Sequence, residues 1–389
     1  MAYAEGRVYY DADSHLMETS DWLTSYADPD VRELLTPLQL GGAGQFAEEA
    51  VAVADRRRAD PKAQVEAEAE AKANLMSAKG WSALGAFDRW ERSRALDLLG
   101  FDRQLIFSTF AATQFQSSDP AILYGGARAH NRAMADFCSD DERMIAVGLV
   151  PLDVPDLAVP AVGEAIEMGC GAILVPSAPP KAHSPTHPDL DGVWDQLQDA
   201  NVPFMLHVGG GGRPLRPAFH QNGRLQPSDF LGGGENVRSK DYMVLHNPPE
   251  TFLSVMVLDG VLEQFPRLRG GCIEQGGMWA VPWIRRLDLC QDMFKKTEPV
   301  VAGLPLRASD YVRRQLRFTP FPTEPVGWMI ENAGVELFLF SSDYPHPEGG
   351  RDPLKRFESS LVGTGEQAKE RFYSGNFGDL MRMTTTGAV

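Results

Sequence analysis

The sequence predicts an α/β fold in which eight strands and their intervening helices close into a (β/α)8 barrel, also called a TIM barrel. Short apolar runs rich in β-branched and aromatic residues alternate with longer segments of helical periodicity. The short runs are apolar throughout, as is typical of strands covered on both faces. The chain of 389 residues is long for such a barrel, so the fold is expected to carry insertions.

Eight segments have the strand pattern. In chain order they are residues 7–15, 105–110, 144–152, 171–177, 202–210, 268–277, 316–321 and 335–346. Helical patterns precede the third to the sixth of these strands, over residues 124–141, 156–169, 192–201 and 248–266. Alternation of strands with helices favours a parallel sheet. The sequence thus predicts a single barrel domain over residues 1–389.

Two segments are too long to be simple connections between strands. Residues 23–103 contain an Ala/Glu-rich stretch that predicts helix. Residues 209–247 are rich in Gly, Pro and Arg and have no helical period. Because loops of such length are usually functional lids or disordered, both segments are expected to be lid-like insertions.

The overall composition excludes several classes of function. A formal net charge of -16 argues against nucleic acid as a partner, although a local basic cluster can still bind an anion. No apolar run approaches the ~20 residues of a membrane span, and the N-terminal residues do not follow a signal-peptide pattern. The four cysteines form no CxxC pair, which is typical of reduced thiols. These features predict a cytoplasmic protein with no membrane partner.

Metal-ligating side chains stand at the predicted ends of several strands. Asp13 and His15 are two residues apart on the first strand, so both point to the same face. The fifth, sixth and eighth strands end in His207, Glu274 and Asp343. Side chains at the carboxyl ends of barrel strands converge on one face. A mixture of carboxylates and imidazoles suits Zn, Mn or Fe, so the sequence predicts one or two divalent ions there.

Four stretches carry a resemblance to a known family. They are DADSHLME, PFMLHVGG, VLEQFPRLRGGCIEQGGMW and LFLFSSDYPHPEGG. With them the chain resembles the amidohydrolase-related family of metal-dependent barrel enzymes, which includes aminocarboxymuconate-semialdehyde and resorcylate decarboxylases. The resemblance implies a (β/α)8 fold, frequent homodimers and a divalent metal held by Asp13, His15, His207 and Asp343.

The chain departs from this family at the end of the sixth strand. The family's decarboxylases usually carry a histidine there as acid or base, and this chain carries Glu274. A carboxylate supplies such a proton at neutral pH only if burial raises its pKa. It can instead ligate a second metal ion. The carboxylate-rich set that would hold two ions comprises Asp13, Glu18, Glu274 and Asp343 with His15 and His207.

Two neighbours of the predicted ligands have open roles. Glu18 is a candidate ligand, but the same carboxylate could stand at a helix start or orient His15. His346 follows Asp343 in a turn and is expected to face the substrate and to act with Asp343 and Glu274 in catalysis. The four histidines expected at the surface or on the lids are His130, His183, His187 and His220.

The second insertion offers candidate substrate-binding residues. Arg213 and Arg216 either solubilise the loop or clamp an anionic substrate, to which Arg is geometrically suited. A coenzyme A thioester would suit such a clamp because its phosphates pair bidentately with Arg. His246 either contacts the substrate or caps the helix that begins near Pro248.

Two chemistries follow from this site. In the first, a metal-dependent enzyme hydrolyses or decarboxylates a sizeable anionic substrate, carboxylated or an acyl thioester, with Asp343 or Glu274 as base. In the second, two irons held by the carboxylate-rich set activate O2, and a monooxygenase hydroxylates a bulky, CoA-linked substrate. A binding protein on an inactive barrel is disfavoured because the principal ligand types are intact. Metal identity would separate the two enzymes.

Overall fold

The computed structural model describes residues 2–41, 44–212, 215–225 and 237–383. Its parallel sheet has the order β1-β2-β3-β4-β5-β6-β7, so sequence neighbours are also neighbours in the sheet. The strands are β1 Tyr10–Leu16, β2 Arg103–Ser108, β3 Met144–Leu149, β4 Ala172–Leu174, β5 Phe204–His207, β6 Gly270–Ile273 and β7 Leu316–Phe318. The sheet and its helices form a TIM-barrel-like α/β fold.

The eighth position is filled by an extended segment rather than a regular strand. The backbone N–H of Phe318 at the end of β7 donates to Leu337 O at 2.8 Å. At the other edge, the N–H of His15 on β1 donates to Tyr344 O at 2.7 Å. The segment therefore bridges β7 to β1, but the predicted strand 335–346 is not continuous. Asp343 has a left-handed φ of 52°, which interrupts extended backbone.

Helices connect consecutive strands. Between β2 and β6 they are Ala111–Gln114, Pro120–Cys138, Pro155–Glu167, Asp191–Ala200, Ser239–Tyr242, Asn247–Leu258 and Val261–Gln264. From β6 onward they are Ala280–Phe294, Pro299–Gly303, Ala308–Gln315, Val326–Ala333, Pro353–Ser360, Glu366–Glu370 and Asn376–Leu380, with a π-helical turn at Arg371–Gly375. The predicted helix 248–266 is broken at Gly260, whose φ of 82° is left-handed.

The first insertion is helical in the structure. Its helices are Trp22–Ser25, Pro29–Arg32, Gly44–Ala59, Pro61–Asn74 and Arg89–Leu99. Asp88 caps the last of these by accepting from the backbone N–H groups of Trp90 and Glu91. Arg92 from this helix is fully buried and donates to His15 O at 2.7 Å. The insertion is thus tied to the end of β1.

The second insertion is described only in part. Its described residues include the 3₁₀ turn Pro217–Phe219 and the short helix Ser239–Tyr242. The side chains of Phe219 and Leu225 are exposed. That this segment acts as a lid stays a prediction. Among the described residues, no helix is long and apolar enough to cross a membrane.

Candidate metal centre

The predicted ligands converge at the carboxyl ends of the strands. His15 Nε2 lies 3.3 Å from Asp13 Oδ1, 3.6 Å from Asp343 Oδ1 and 3.9 Å from Glu274 Oε2. His207 Nε2 lies 3.4 Å from Asp13 Oδ1 and 3.5 Å from Glu274 Oε2. Side chains from the ends of β1, β5, β6 and the bridging segment therefore meet at one point, as the barrel requires.

The chemistry of this cluster fits a divalent cation. One ligand atom from each of Asp13, His15, His207 and Glu274 lies within 4.8 Å of the others. Within the described chain, both ring nitrogens of His15 and Oδ2 of Asp343 are buried and make no hydrogen bond. Buried polar atoms without partners are costly unless another group, such as an ion, satisfies them. The donor set therefore suits a metal better than a purely structural role.

The two central aspartates differ in their acidity. Burial raises the pKa of Asp13, but the adjacent His15 and His207 outweigh it and hold this pKa well below its usual range. Burial and the charge of Asp13 together raise the pKa of Asp343 to about 7. The carboxyl group of Asp13 is therefore ionised at neutral pH, whereas Asp343 can gain or lose a proton near neutral pH.

The imidazole of His15 is kept neutral. Burial lowers its pKa, and the nearby His346 lowers it further. A neutral imidazole is the form that ligates metals. The environment of His15 therefore suits a ligand rather than a cationic partner of Asp13.

Two of the site carboxylates sit on strained backbone. Glu274 and Asp343 both have a φ of 52°, in the left-handed region that side-chain-bearing residues rarely adopt. The backbone N–H of Glu274 donates to Thr319 Oγ1 at 2.8 Å, and that of Asp343 donates to Asp13 O at 2.9 Å. Such strain typically persists at functional positions, where it aims a side chain.

His346 joins the cluster beside Asp343. Its ring stacks on His15 with the centroids 3.8 Å apart, and its Nδ1 lies 3.1 Å from Asp343 Oδ1. The Thr109 hydroxyl donates to Leu16 O at 2.8 Å and lies 2.9 Å from His346 Nε2. Because that hydroxyl hydrogen is used, Nε2 donates to Thr109 and Nδ1 faces Asp343. Asp343 and His346 also form, with His15, a second candidate ligand group.

Glu18 does not join the ligand cluster. Its carboxylate accepts from the backbone N–H groups of Thr109 at 3.2 Å, Phe110 at 3.0 Å and Ala111 at 2.9 Å. Burial raises its pKa to about 7, although these hydrogen bonds act in the opposite direction. Glu18 therefore fixes the segment after β2 rather than offering its oxygens to a metal. The expectation of a sixth ligand at Glu18 is not met in this geometry.

None of the predicted substrate-binding residues that the structure describes belongs to the groups that could hold a metal ion. Arg213 falls outside the described residues, and Arg216 is exposed. His246 stands immediately before the helix Asn247–Leu258 but makes no side-chain capping bond. Its ring instead stacks on Trp279, with centroids 5.8 Å apart.

Lys79 is a site residue that the sequence did not indicate. Its Nζ is buried and has no hydrogen-bond partner among the described residues. Burial lowers the pKa of Lys79, while the carboxylates of Asp343 and Glu348 act to raise it. The backbone N–H of Gly80 donates to Pro345 O at 2.9 Å, which docks this loop on the bridging segment. Local sequence carries no signal for this contact because it depends on how the first insertion folds back.

Comparison with known proteins identifies the family. The model of the amidohydrolase family matches residues 10–376, which is most of the chain. The protein belongs to the amidohydrolase family. Its members are enzymes, and the chain is accordingly a hydrolase or lyase with a divalent-metal site. No curated protein matches this member of the family.

Solved structures share the fold of this amidohydrolase. An amidohydrolase from Mycobacterium avium subsp. paratuberculosis is 20% identical with a TM-score of 0.76, covering 97% of this chain and 100% of its own. A 5-carboxyvanillate decarboxylase from Novosphingobium aromaticivorans, complexed with manganese and 4-hydroxy-3-methoxy-5-nitrobenzoic acid, is 15% identical with a TM-score of 0.62, covering 97% of each chain. A dihydroxybenzoic acid decarboxylase from Polaromonas sp., with bound manganese and 2-nitroresorcinol, is 15% identical with a TM-score of 0.59 at the same coverage.

Proposed function

We propose that this amidohydrolase hydrolyses or decarboxylates an anionic substrate that carries a carboxylate or an acyl thioester. One observation carries the proposal. The side chains of Asp13, His15, His207 and Glu274 converge in a buried cluster beside Asp343, whose backbone is strained. These five side chains come from the ends of β1, β5 and β6 and from the bridging segment. Their shared property is the ability to bind a cation and to move a proton.

Asp13, His15, His207 and Glu274 would hold the metal, with Asp343 adjacent. Zinc, manganese or iron suits this set of ligands. A bound divalent ion would polarise a carboxyl or acyl oxygen and lower the pKa of water. The ionised Asp13 bridges the two imidazoles, because its Oδ1 lies within 3.4 Å of both Nε2 atoms.

Asp343 and His346 would transfer the proton. A carboxyl group with a pKa of about 7 takes up and releases a proton near neutral pH. His346 Nδ1 is 3.1 Å away and can receive or return that proton. Thr109 fixes the ring of His346 by accepting from Nε2. This pair can therefore remove a proton from a nucleophile or supply one to a leaving group or carbon.

The position of Lys79 supports the proposal that the substrate is anionic. It brings a buried positive charge close to Asp343. A substrate carboxylate or phosphate would supply the hydrogen-bond acceptor that Lys79 lacks within the described residues. Arg213 and Arg216 remain proposed as a second contact, for the phosphates of an acyl-CoA. The two decarboxylases with bound nitro-aromatic ligands make substituted benzoates a sensible first class to test.

The test is a product assay on metal-loaded protein. Hydroxybenzoates are assayed for released CO2, and acyl thioesters for released thiol, with manganese, zinc or iron and after chelation. We expect turnover that requires metal, with a KM that rises ~10-fold or more in Lys79→Met, because a charged contact is lost. Lys72→Met, on the exposed helix Pro61–Asn74, is the matched control. Turnover that persists after complete metal removal would contradict the proposal.

A second candidate is a diiron monooxygenase that hydroxylates a bulky, CoA-linked substrate. The observation that favours it is the presence of two ligand groups, Asp13–His15–His207–Glu274 and His15–Asp343–His346, which overlap at His15. Near two irons per chain with substrate-dependent O2 uptake would support this candidate. One ion per chain and no O2 uptake would exclude it.

A further inference from the structure

An apolar groove of about 560 Å³ lies next to the end of β6. Gln275 and Gly276 form part of its wall, and both directly follow Glu274 at the end of β6. Its lining also includes Tyr242 and His246 from the segment that follows β5. The groove therefore lies on the carboxyl-terminal face of the barrel, where substrates bind. Its volume falls within the range of ligand-binding clefts.

The groove is lined by aromatic and thioether side chains. The His246 and Trp279 rings are stacked at 20°, and the Tyr242 and Phe321 rings lie 5.4 Å apart. Met278 is 49% exposed and Met243 is 68% exposed. Flat rings and flexible thioethers are surfaces on which apolar or aromatic ligands pack well.

Side-chain hydrogen bonds hold the backbone of the groove wall that follows Glu274. Glu324 accepts from the backbone N–H groups of Gly277 at 2.9 Å and Met278 at 3.0 Å. The Trp279 indole N–H donates to the carbonyls of Gln275 at 3.2 Å and Gly276 at 3.0 Å. The groove is therefore largely pre-formed, which reduces the entropy lost when a ligand binds.

Gln275 points to a polar feature of the ligand. Its side chain is only 4% exposed, and its Nε2 makes no hydrogen bond within the described part of the chain. A buried amide donor without a partner is unfavourable. Because Gln275 lines the groove, an acceptor oxygen that reaches this amide from the groove would satisfy it. This buried amide next to Glu274 distinguishes the groove from an ordinary apolar surface patch.

We infer that the groove binds the far end of the substrate, a ring-containing apolar group that carries an acceptor oxygen for Gln275. The inference rests on the proposed function, because the anionic end of the same molecule would lie at the metal centre. The substrate would then be larger than a single substituted benzoate. Lys79 and the metal would select its charged end, and the groove would select its length.

The experiment compares carboxylic acids of different length on manganese-loaded protein by titration calorimetry. Benzoate is the short ligand, 4-benzylbenzoate adds a second ring, and 4-benzoylbenzoate adds a ketone acceptor. We expect both longer acids to bind ~10-fold or more tightly than benzoate, because they bury additional apolar area. Gln275→Leu should lower the affinity for 4-benzoylbenzoate by ~5-fold and leave the affinity for 4-benzylbenzoate unchanged.

Two exposed methionines provide variants that are expected to fold. Met278→Asp and Met243→Asp should abolish the preference for the longer acids and leave benzoate affinity unchanged. Met293→Asp, at a 70% exposed position outside the groove, is the matched control. Equal affinities of the short and long acids in the unsubstituted protein would overturn the inference. A preference for the longer acids that survives both groove substitutions would also overturn it. So would the finding that these substitutions dissociate a dimer without changing the affinity for the longer acids. Benzoate affinity that is independent of manganese would instead count against the proposed function.

Discussion

Asp343 and His346 form a close pair in the mouth of the barrel, with Oδ1 and Nδ1 3.1 Å apart. Because His346 Nε2 donates to Thr109, Nδ1 of the neutral ring carries no proton and faces the carboxyl group of Asp343. This arrangement agrees with the raised pKa of Asp343, which burial and the charge of Asp13 bring to about 7. We therefore expect the pair to be the proton-transfer element of the site.

Asp343→Asn and His346→Gln test this element. Both substitutions preserve side-chain volume but remove the group that exchanges the proton. We expect kcat to fall by ~10²-fold or more in each variant, with metal content retained in His346→Gln. Steady-state kinetics and elemental analysis measure the two effects. An unchanged kcat in His346→Gln, or loss of metal from it, would show that His346 has another role.

Glu274→Gln tests the carboxylate that replaces the family's usual histidine. Glu274 lies 3.5 Å from His207 Nε2 within the four-residue ligand group, so the neutral amide should lower the number of metal ions bound per chain. Unchanged metal with turnover reduced by ~10²-fold would instead identify Glu274 as an acid or base. Normal metal and normal turnover together would contradict both roles.

Glu18→Gln tests the reassigned carboxylate. Its oxygens accept three backbone N–H groups after β2, and the amide nitrogen of Gln would face some of those donors. We expect the free energy of unfolding to fall by about 1–3 kcal/mol, with metal content unchanged. Urea unfolding and elemental analysis are the measurements, and Glu49→Gln, at an exposed position, is the control. A variant that loses metal but not stability would restore Glu18 as a ligand.

His130 predicts a pH dependence of stability. The ring is buried between Ser108 Oγ at 2.9 Å and Asn131 Oδ1 at 3.0 Å, and burial lowers its pKa from 6.5 to about 4. The folded protein therefore favours neutral His130. Its contribution is complete above the unfolded pKa of 6.5 and is lost as the pH falls towards 4.

The measurement is urea unfolding of chelated protein between about pH 7 and pH 4. This one group should reduce the free energy of unfolding by up to about 3 kcal/mol across that interval. His130→Gln should be less stable at neutral pH but should lose less stability on acidification. His187→Gln, at a half-exposed position, should retain the original slope. An identical slope in His130→Gln and the unsubstituted protein would refute the prediction.

The sequence carries enough information to predict much of the site. Asp13 and His15 share a face because strand side chains alternate, and His207 and Glu274 stand where apolar runs end. These features are local, and they place four candidate ligands at one end of the barrel before any contact is known. The family match over residues 10–376 confirms the resemblance carried by the same stretches.

The predictions that the structure corrects, and the residue that the sequence did not indicate, depend on tertiary contacts. Glu18 faces backbone donors at Thr109–Ala111, which are distant in sequence, so its role cannot be inferred from its neighbours. Lys79 reaches the site only because the first insertion docks on Pro345. His130 was expected at the surface, but its helix packs on β3 and buries the ring. The predicted eighth strand is interrupted because the backbone of Asp343 has a left-handed φ.

The metal content of His207→Ala tests the central claim most directly. His207 contributes to the cluster through a single ring nitrogen near Asp13 and Glu274, and His187→Ala, at a half-exposed position, is the matched control. After expression with zinc, manganese and iron supplied, elemental analysis should find about one or two divalent ions per chain in the unsubstituted protein and in His187→Ala. His207→Ala should have lost metal and activity together. Full metal content in His207→Ala, or none in the unsubstituted protein, would contradict the account.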